Sequence, residues 1–384
     1  MNIGIVMLNR GRGSGEVVKQ HIDFLLANGN TVYTFFPDNR EDSGKNHIHV
    51  NIHLHSPTLP VHEYLPRTTA QKPVYEMSYE EAGKYVKDFE KGIKQFIDKV
   101  DIIITHHANI DTVATYNVCK EHKKPFVVFV HGTGIEPALY NKYNSSLWQD
   151  IKTSLISANK IITTTEYVKD NLIKPLINID DSKIALIPPG IDTELFNPSN
   201  TDDILNKYRI KKPYVISPGA LTYLKGPQNV ARALEHYYQY AETIFIGDGD
   251  LREEIENTIK GKGRCLGFVP SIDRVHLINA ATLLTAAPEK KEHFGMIYLE
   301  ALSGGTPVVA YKGGGVDTIV SPEVGILTER TPEALGKEIK KLLLNRDKRN
   351  RMANKARERA LKEFSLNVSG EKLLLLLKNL FKGR

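Results

Sequence analysis

The sequence predicts an α/β protein of two βαβ domains, each a parallel sheet covered by helices. Three observations lead there. The chain has 384 residues, more than one core comfortably organises when domains run about 100–200 residues. Short β-branched apolar runs alternate with longer helix-periodic stretches, the pattern of βαβ units. The alternation breaks once, at IPPGIDTELFNPSN (187–200), and then restarts.

In the first half, strands are expected at IGIVML (3–8), TVYTFF (31–36), DIIIT (101–105), FVVFV (126–130) and KIITTT (160–165). They are apolar almost throughout, as strands buried on both faces must be. Helical spacing falls between them at Val17–Asn28, Glu80–Lys99 and Leu147–Ser157. Residues 47–78 look irregular and read as an insertion or lid, with His and apolar residues alternating at the start. Pro188, Pro189, Gly190 and Pro198 remove backbone donors and permit turns, so this region reads as a linker. Beyond it, YVISPG (214–219), TIFIGDG (243–249), CLGFV (265–269), TLLTAA (282–287), PVVAY (307–311) and GILT (325–328) build a second sheet, with Lys225–Tyr237 helical. The expected domains are 1–190 and 201–365, joined by 191–200, with a separate helical segment at 366–384. Ligands of such sheets bind beyond the carboxyl ends of the strands, here expected in the cleft between domains.

Composition narrows the function. Cys119 and Cys265 are far apart and in no metal-ligand spacing, which fits a reducing cytoplasm without a disulfide framework. MNIGIVMLNRG reads as a first strand, not a signal peptide, and no run reaches the ~18–20 apolar residues of a membrane span. Charge is uneven: residues 1–200 carry 21 Lys+Arg against 23 Asp+Glu, and the rest carry 30 against 22. Residues 337–384 hold 15 basic and 5 acidic side chains. These read either as solvated helix faces or as a surface for anionic lipid headgroups. No recognition motif or interleaved aromatics accompany them, so nucleic acid is not an expected partner.

The chemistry concentrates in PEKKEHFGMIYLEALSGGTPVVAYKGGGVDTIV (288–320). A helix is expected from about Gly295 to Ser303, ended by Gly304 and Gly305. The amides of Phe294, Gly295 and Met296 then point from a helix N-terminus, which attracts phosphate. Glu292 precedes the helix, and Glu300 projects about a turn and a half along it. Each carboxylate is able to grip sugar hydroxyls. Alone, Glu292 would be an ordinary surface acid and Glu300 a solvated helix residue.

EHFGMIYLEAL followed by GGTPVVA closely resembles the E-x7-E segment of retaining GT-B glycosyltransferases of family 4, with Glu292 and Glu300 at the two Glu positions. The resemblance runs the length of the chain and is strongest over 213–330. It implies a GT-B fold: an acceptor-side N-terminal Rossmann-like domain, a nucleotide-sugar-binding C-terminal one, and a last helix, EKLLLLLKNLF (371–381), crossing back to the first. SPGALTYLKG (217–226) resembles the turn that opens the donor domain. Lys225 then falls on the lysine that pairs with the donor diphosphate, near Gly219, and a lysine there neutralises pyrophosphate without a metal. One departure stands out: the arginine usual after that glycine is Ala220, and Arg10 or Arg12 is a candidate to compensate. Gly247 and Gly249 of IGDGDL more readily serve a turn than a ligand. Phe268 and Val269 match the strand end whose backbone meets the nucleobase. GGGVDT (313–318) matches a turn near the active cleft, with Thr318 replacing a frequent Glu. In RGRGSGE (10–16), Gly13 and Gly15 are candidates to approach the diphosphate or acceptor, though a tight strand–helix turn needs glycines anyway. His131 of HGTGIEP (131–137) matches the family's cleft histidine, which contacts the donor sugar; Glu136, His106 and His107 are lesser candidates.

The resemblance implies a retaining, metal-independent transfer of a hexosyl unit from a UDP- or GDP-sugar. Glu292, His131 and Lys225 would be the catalytic residues, and no cofactor or metal is expected. The implied acceptor is a glycan or glycolipid, and the implied location is the cytoplasm, peripherally at the inner face of the cell membrane. Two other readings remain open: a catalytically silent nucleotide-sugar binder, to which Ala220 points, and another GT-B enzyme such as a nucleotide-sugar epimerase.

Overall fold

A computed structural model describes residues 1–9, 13–38, 44–65, 70–198 and 202–382. It divides into two compact units, Met1–Gly190 with Ser369–Arg384, and Ile191–Val368.

The first unit is built on a seven-stranded sheet ordered β3-β2-β1-β6-β7-β8-β9, parallel throughout. Its strands are β1 (Asn2–Met7), β2 (Thr31–Phe36), β3 (His47–Asn51), β6 (Ile102–His106), β7 (Phe126–Val130), β8 (Lys160–Thr163) and β9 (Ile184–Leu186). β6 and β7 are buried at every position because helices cover both faces. The two faces carry separate cores, one around Phe35, Phe89 and Ile103, the other around Ile3, Ile5 and Phe129.

The region read as irregular is partly ordered by the sheet. His47–Asn51 forms β3, an edge strand beside β2, which accounts for its alternation. The rest supplies a small parallel pair, β4 (Leu59–Val61) with β5 (Gln71–Pro73). Asn9 Nδ2 donates to Pro60 O at 3.0 Å, tying this pair to the carboxyl end of β1.

From Ser369 onward the last helix, Leu366–Lys382, belongs to the first unit. Leu373, Leu374 and Leu377 enter the core with Ile3, Ile5 and Leu25, and Gly370 lies against the Phe24 ring, where a Cβ would come within 2.3 Å. Its apolar face is therefore core. Leu373→Ala is expected to destabilise the first unit by about 2–5 kcal/mol, the range for a buried leucine; chemical denaturation measures it. The exposed Leu375→Ala on the same helix serves as the near-neutral control.

The second unit carries a six-stranded parallel sheet ordered β12-β11-β10-β13-β14-β15. Its strands are β10 (Tyr214–Pro218), β11 (Glu242–Ile246), β12 (Gly263–Cys265), β13 (Leu283–Ala286), β14 (Val308–Tyr311) and β15 (Gly325–Thr328). Strand order reverses between β10 and β13, a topological switch point where open α/β sheets bind ligands.

Three expectations need correction. Residues 191–198 are not a free linker: Ile191 and Phe196 are buried in the second unit's core, and Arg357 Nη1 donates to Thr193 O and Phe196 O at 2.8 and 2.7 Å. Pro-rich composition removed donors, but apolar burial and one arginine fix the segment. CLGFV is strand only to Cys265, because Gly267 turns the chain at φ +69° and Phe268 and Val269 lie past it. Lys225 precedes its helix, which runs Pro227–Ala233; Gly226 in the left-handed region separates them.

Candidate active site

At the switch point, a pocket is lined by residues that follow β10 (Gly219, Ala220, Lys225) and β13 (Pro288, Glu292), and by Tyr298. Backbone contacts hold the two loops together. Gly226 approaches Ala287 so closely that a Cβ would lie 1.8 Å from its carbonyl oxygen. Asn229 Nδ2 donates to Ala287 O at 3.1 Å and to Glu289 Oε1 at 2.8 Å. Arg330 spans the other side of the loop, donating to Pro288 O and, at 2.9 Å, to Glu289 O.

That framework brings Lys225 Nζ to 2.5 Å from Glu292 Oε1, across 67 residues of sequence. The lysine side chain is 51% exposed and the glutamate 18%. Glu292 Oε2 is buried and accepts no hydrogen bond among the described residues. A buried carboxylate oxygen without a donor is costly unless a ligand supplies one. The Gly-rich turn backs this glutamate: Gly315 N donates to Glu292 O at 2.7 Å, and a Cβ at Gly314 would stand 2.6 Å from the same oxygen. Gly313 N donates to Asp317 Oδ1 at 2.8 Å, and Thr318 O accepts from Arg359 Nη2 at 3.1 Å.

The helix starts at Met296, with Gly295 capping it at φ +98°. The left-handed turn sets the glycine over Tyr298, whose ring a Cβ would approach to 2.5 Å. Tyr298 is fully buried, and burial together with the Glu292 charge holds its hydroxyl well above the usual tyrosine range. Phe294 is 8% exposed and anchored in the core, so its backbone is what it offers; Met296 is half-buried. The first amides of a helix lack intrahelical acceptors and lie at the positive end of its dipole.

Glu300 differs from its expected setting. Arg274, on the Ser271–Ala280 helix, grips it with both guanidinium nitrogens, Nη1 to Oε1 at 3.2 Å and Nη2 to Oε2. Glu300 is 9% exposed. Any hydroxyl that reaches this point meets a carboxylate already paired, with only its remaining lone pairs to accept. Nothing in the sequence marked Arg274.

Around the nucleobase candidates, Phe268 is 73% exposed and Val269 half-buried. Gly219, at φ +150°, lines the pocket. Gly247 and Gly249 serve backbone packing, since a Cβ on either would fall 2.0 Å from Gly219 O or 2.5 Å from Leu221 O.

His131 lies in the first unit, half-buried, just past β7. Its Nε2 is 3.0 Å from His106 Nδ1, and its ring stacks on Phe129. His107, at φ +72°, stands beside it with ring centroids 4.7 Å apart, and His62 from the inserted segment stacks on His107 at 3.7 Å. Asp111 is also buried, and burial raises its carboxyl well above the usual range. Gly13 and Gly15 open the Gly13–Ala27 helix, with Gly13 exposed. Arg10 and Arg12, the candidate compensators for Ala220, lie outside the described residues.

The histidines make the first unit sensitive to acid. Burial pushes His21 down to about 4 and His62 down to about 3, and His106 falls well below its ordinary value. An unfolded histidine takes its proton near pH 6.5, whereas these folded ones do so only at much lower pH. The histidine contribution is therefore full above about pH 7 and declines as pH falls toward 4, while the raised carboxyl of Asp111 contributes in the opposite direction. At pH 4, His21 alone accounts for about 3 kcal/mol. Denaturation across this range is expected to show the loss, and His21→Phe to flatten part of it. An unchanged slope in that variant would exclude His21 as a source.

The second unit thus places a pocket at the switch point of a parallel sheet, beside a lysine–carboxylate pair and the start of a helix. Comparisons with known proteins identify the family. Residues 11–195 match the model of "Glycosyltransferase Family 4" and residues 200–359 that of "Glycosyl transferases group 1". The chain belongs to these glycosyltransferases. A D-inositol 3-phosphate glycosyltransferase of Xylanimonas cellulosilytica is 26% identical over 219 residues, 52% of each chain. An uncharacterised glycosyltransferase of Methanocaldococcus jannaschii is 25% identical over 70% of this chain and 73% of its own. The match thus spans only about half of the first of these relatives. Among solved structures, a Rickettsia africae glycosyltransferase superposes with TM-score 0.77 at 19% identity, covering 100% of this chain and 99% of its own. An Anabaena protein solved with UDP gives 0.78 at 17%, covering 99% and 100%. At these identities the two structures share the fold.

Proposed function

We propose that this chain is a retaining, metal-independent glycosyltransferase moving a hexosyl unit from a UDP- or GDP-sugar to a glycan or lipid acceptor. The observation that carries the reading is Glu292: one oxygen on Lys225, the other buried and unpartnered among the described residues, at the switch point of a parallel sheet. In this reading Glu292 holds the donor sugar. Lys225 and the amides of Phe294, Gly295 and Met296 hold the diphosphate, and Glu300, steadied by Arg274, meets the ribose. His131, just past β7 in the first unit, is the remaining candidate for a catalytic role. The bond from the anomeric carbon to the diphosphate oxygen breaks as the acceptor oxygen bonds to the same face, and that phosphate oxygen takes the acceptor's proton. The protein's part is orientation and stabilisation of charge developing on phosphate.

The test is a panel of UDP-, GDP- and ADP-sugars with mixed acceptors, read by mass spectrometry for new glycosides and by NMR for the product anomer. UDP-glucose heads the panel because a fold neighbour from Anabaena has been solved with it. The expected product keeps the donor's anomeric configuration and forms in EDTA. An inverted anomer would sink retention, and EDTA-sensitive transfer would sink metal independence. Donor turnover without acceptor would favour an epimerase. No calorimetric binding of any donor would remove the nucleotide-sugar reading itself, and donor binding without turnover would leave a silent binder.

A membrane role rests on the basic C-terminal helices. Lys337, Lys341, Lys355 and Lys362 are paired with glutamates on their own helices. Arg346, Lys348 and Arg351 are exposed, with no carboxylate partner among the described residues. No helix among the described residues is long and apolar enough to cross a membrane, so contact would be electrostatic. Vesicles containing anionic lipid are expected to bind the protein at low salt and release it at high salt. Failure to bind at low salt would remove the idea.

A further inference from the structure

His131 is met from behind by a second histidine. His106 is the last residue of β6, fully buried, with its ring between Phe129 at 5.2 Å and His21 at 5.5 Å. Its Nδ1 is 3.0 Å from His131 Nε2. Its other nitrogen, Nε2, is buried and has no hydrogen-bond partner among the described residues. Two neutral arrangements satisfy the contact. In one, His106 Nδ1–H donates to the lone pair of His131 Nε2. In the other, His131 Nε2–H donates to His106 Nδ1, which forces the proton of His106 onto Nε2. That leaves a buried N–H with no acceptor, which folded proteins avoid more strictly than an idle acceptor lone pair. The first arrangement avoids it.

We infer that His106 is a positioning residue that fixes the tautomer of His131, leaving His131 neutral with its proton on Nδ1. With Nε2 occupied as an acceptor, His131 keeps no lone pair for abstracting a proton, and Nδ1–H is the one group through which its ring donates. This suits a histidine that orients a sugar or a departing oxygen. The tautomer stands on the contact alone; its kinetic consequence rests on the glycosyltransferase reading.

The full chain, labelled with 15N-histidine, gives the tautomers directly in long-range 1H–15N correlation spectra. The expected result is protonated Nδ1 and unprotonated Nε2 on both His106 and His131. A proton on His131 Nε2, or an imidazolium at neutral pH, overturns the inference. Two variants test the consequence. His106→Asn places an amide nitrogen where Nδ1 stood, and His106→Leu removes the donor. His106→Leu is expected to lower kcat roughly 3–10-fold with little change in donor KM, the effect of one lost neutral hydrogen bond. His106→Asn is expected to restore most of it and to keep the His131 tautomer in the spectra. Equal kcat in wild type and His106→Leu would overturn the positioning role. If the wild type transfers no sugar from any donor, the functional reading fails while the spectra still decide the tautomer.

Discussion

Replacing Lys225 with alanine is expected to lower kcat/KM for the donor roughly 10- to 150-fold, the value of one charge-assisted hydrogen bond of ~1.5–3 kcal/mol. Lys225 is the cation seated in the pocket against Glu292. In the proposed reading Lys225 is the diphosphate's cation among the described pocket residues, since Ala220 stands where the resemblance expects an arginine. The same change is expected to shift the melting temperature little, because half-exposed ion pairs contribute little to stability. Glu292→Gln keeps the shape and an acceptor for Lys225 but removes the charge, and should also reduce transfer. Because the two residues touch, the double variant is expected to lose less than the sum of the single losses. Steady-state kinetics over the donor series measures all three. An unchanged kcat/KM in the lysine variant would place the diphosphate elsewhere.

Gly226→Ala is expected to cost ~4 kcal/mol or more, among the largest effects of a single methyl group. Two penalties combine. The residue sits at φ +70°, where an L side chain is disfavoured by about 1–2 kcal/mol. Its Cβ would also stand 1.8 Å from Ala287 O and 2.9 Å from Pro288 Cα, which are backbone atoms without a rotamer to turn. The loops after β10 and β13 would have to separate, carrying Lys225 from Glu292. Loss of stability and loss of transfer should therefore appear together. Gly83→Ala provides the contrast. It lies inside the Tyr79–Lys94 helix with nothing within 4 Å of the added carbon, so a gain of about 0.5–1 kcal/mol is expected. Equilibrium denaturation of both variants checks the pair; a Gly226→Ala protein as stable as the wild type would contradict the close packing.

Much of this protein is legible along its chain. Alternating β-branched and helix-periodic runs announce two parallel sheets, because buried strands must be apolar on both faces. The spacing of Glu292, Phe294, Gly295 and Glu300 carries its meaning within nine residues, since a helix start and its first turns are local objects. The 47–78 segment resisted reading for the opposite reason. Its pieces pair in parallel with β2 or with each other, joining residues 15 and 12 positions apart, which no local periodicity records. Residues 191–198 misled because proline content reports missing donors, whereas their burial depends on Arg357, more than 160 residues away.

The sequence by itself determined the fold class, the order of the strands along the chain, and the residue types at the site. Tertiary structure alone decided which of those residues meet. Lys225 reaches Glu292 across 67 positions, Arg274 reaches Glu300 across 26, and His106 reaches His131 across 25. Each of these contacts depends on which strands become neighbours, and strand order in a sheet is fixed by the packing of the whole unit. A local pattern is able to specify a carboxylate at a helix start; only the packed sheet specifies the cation that faces it.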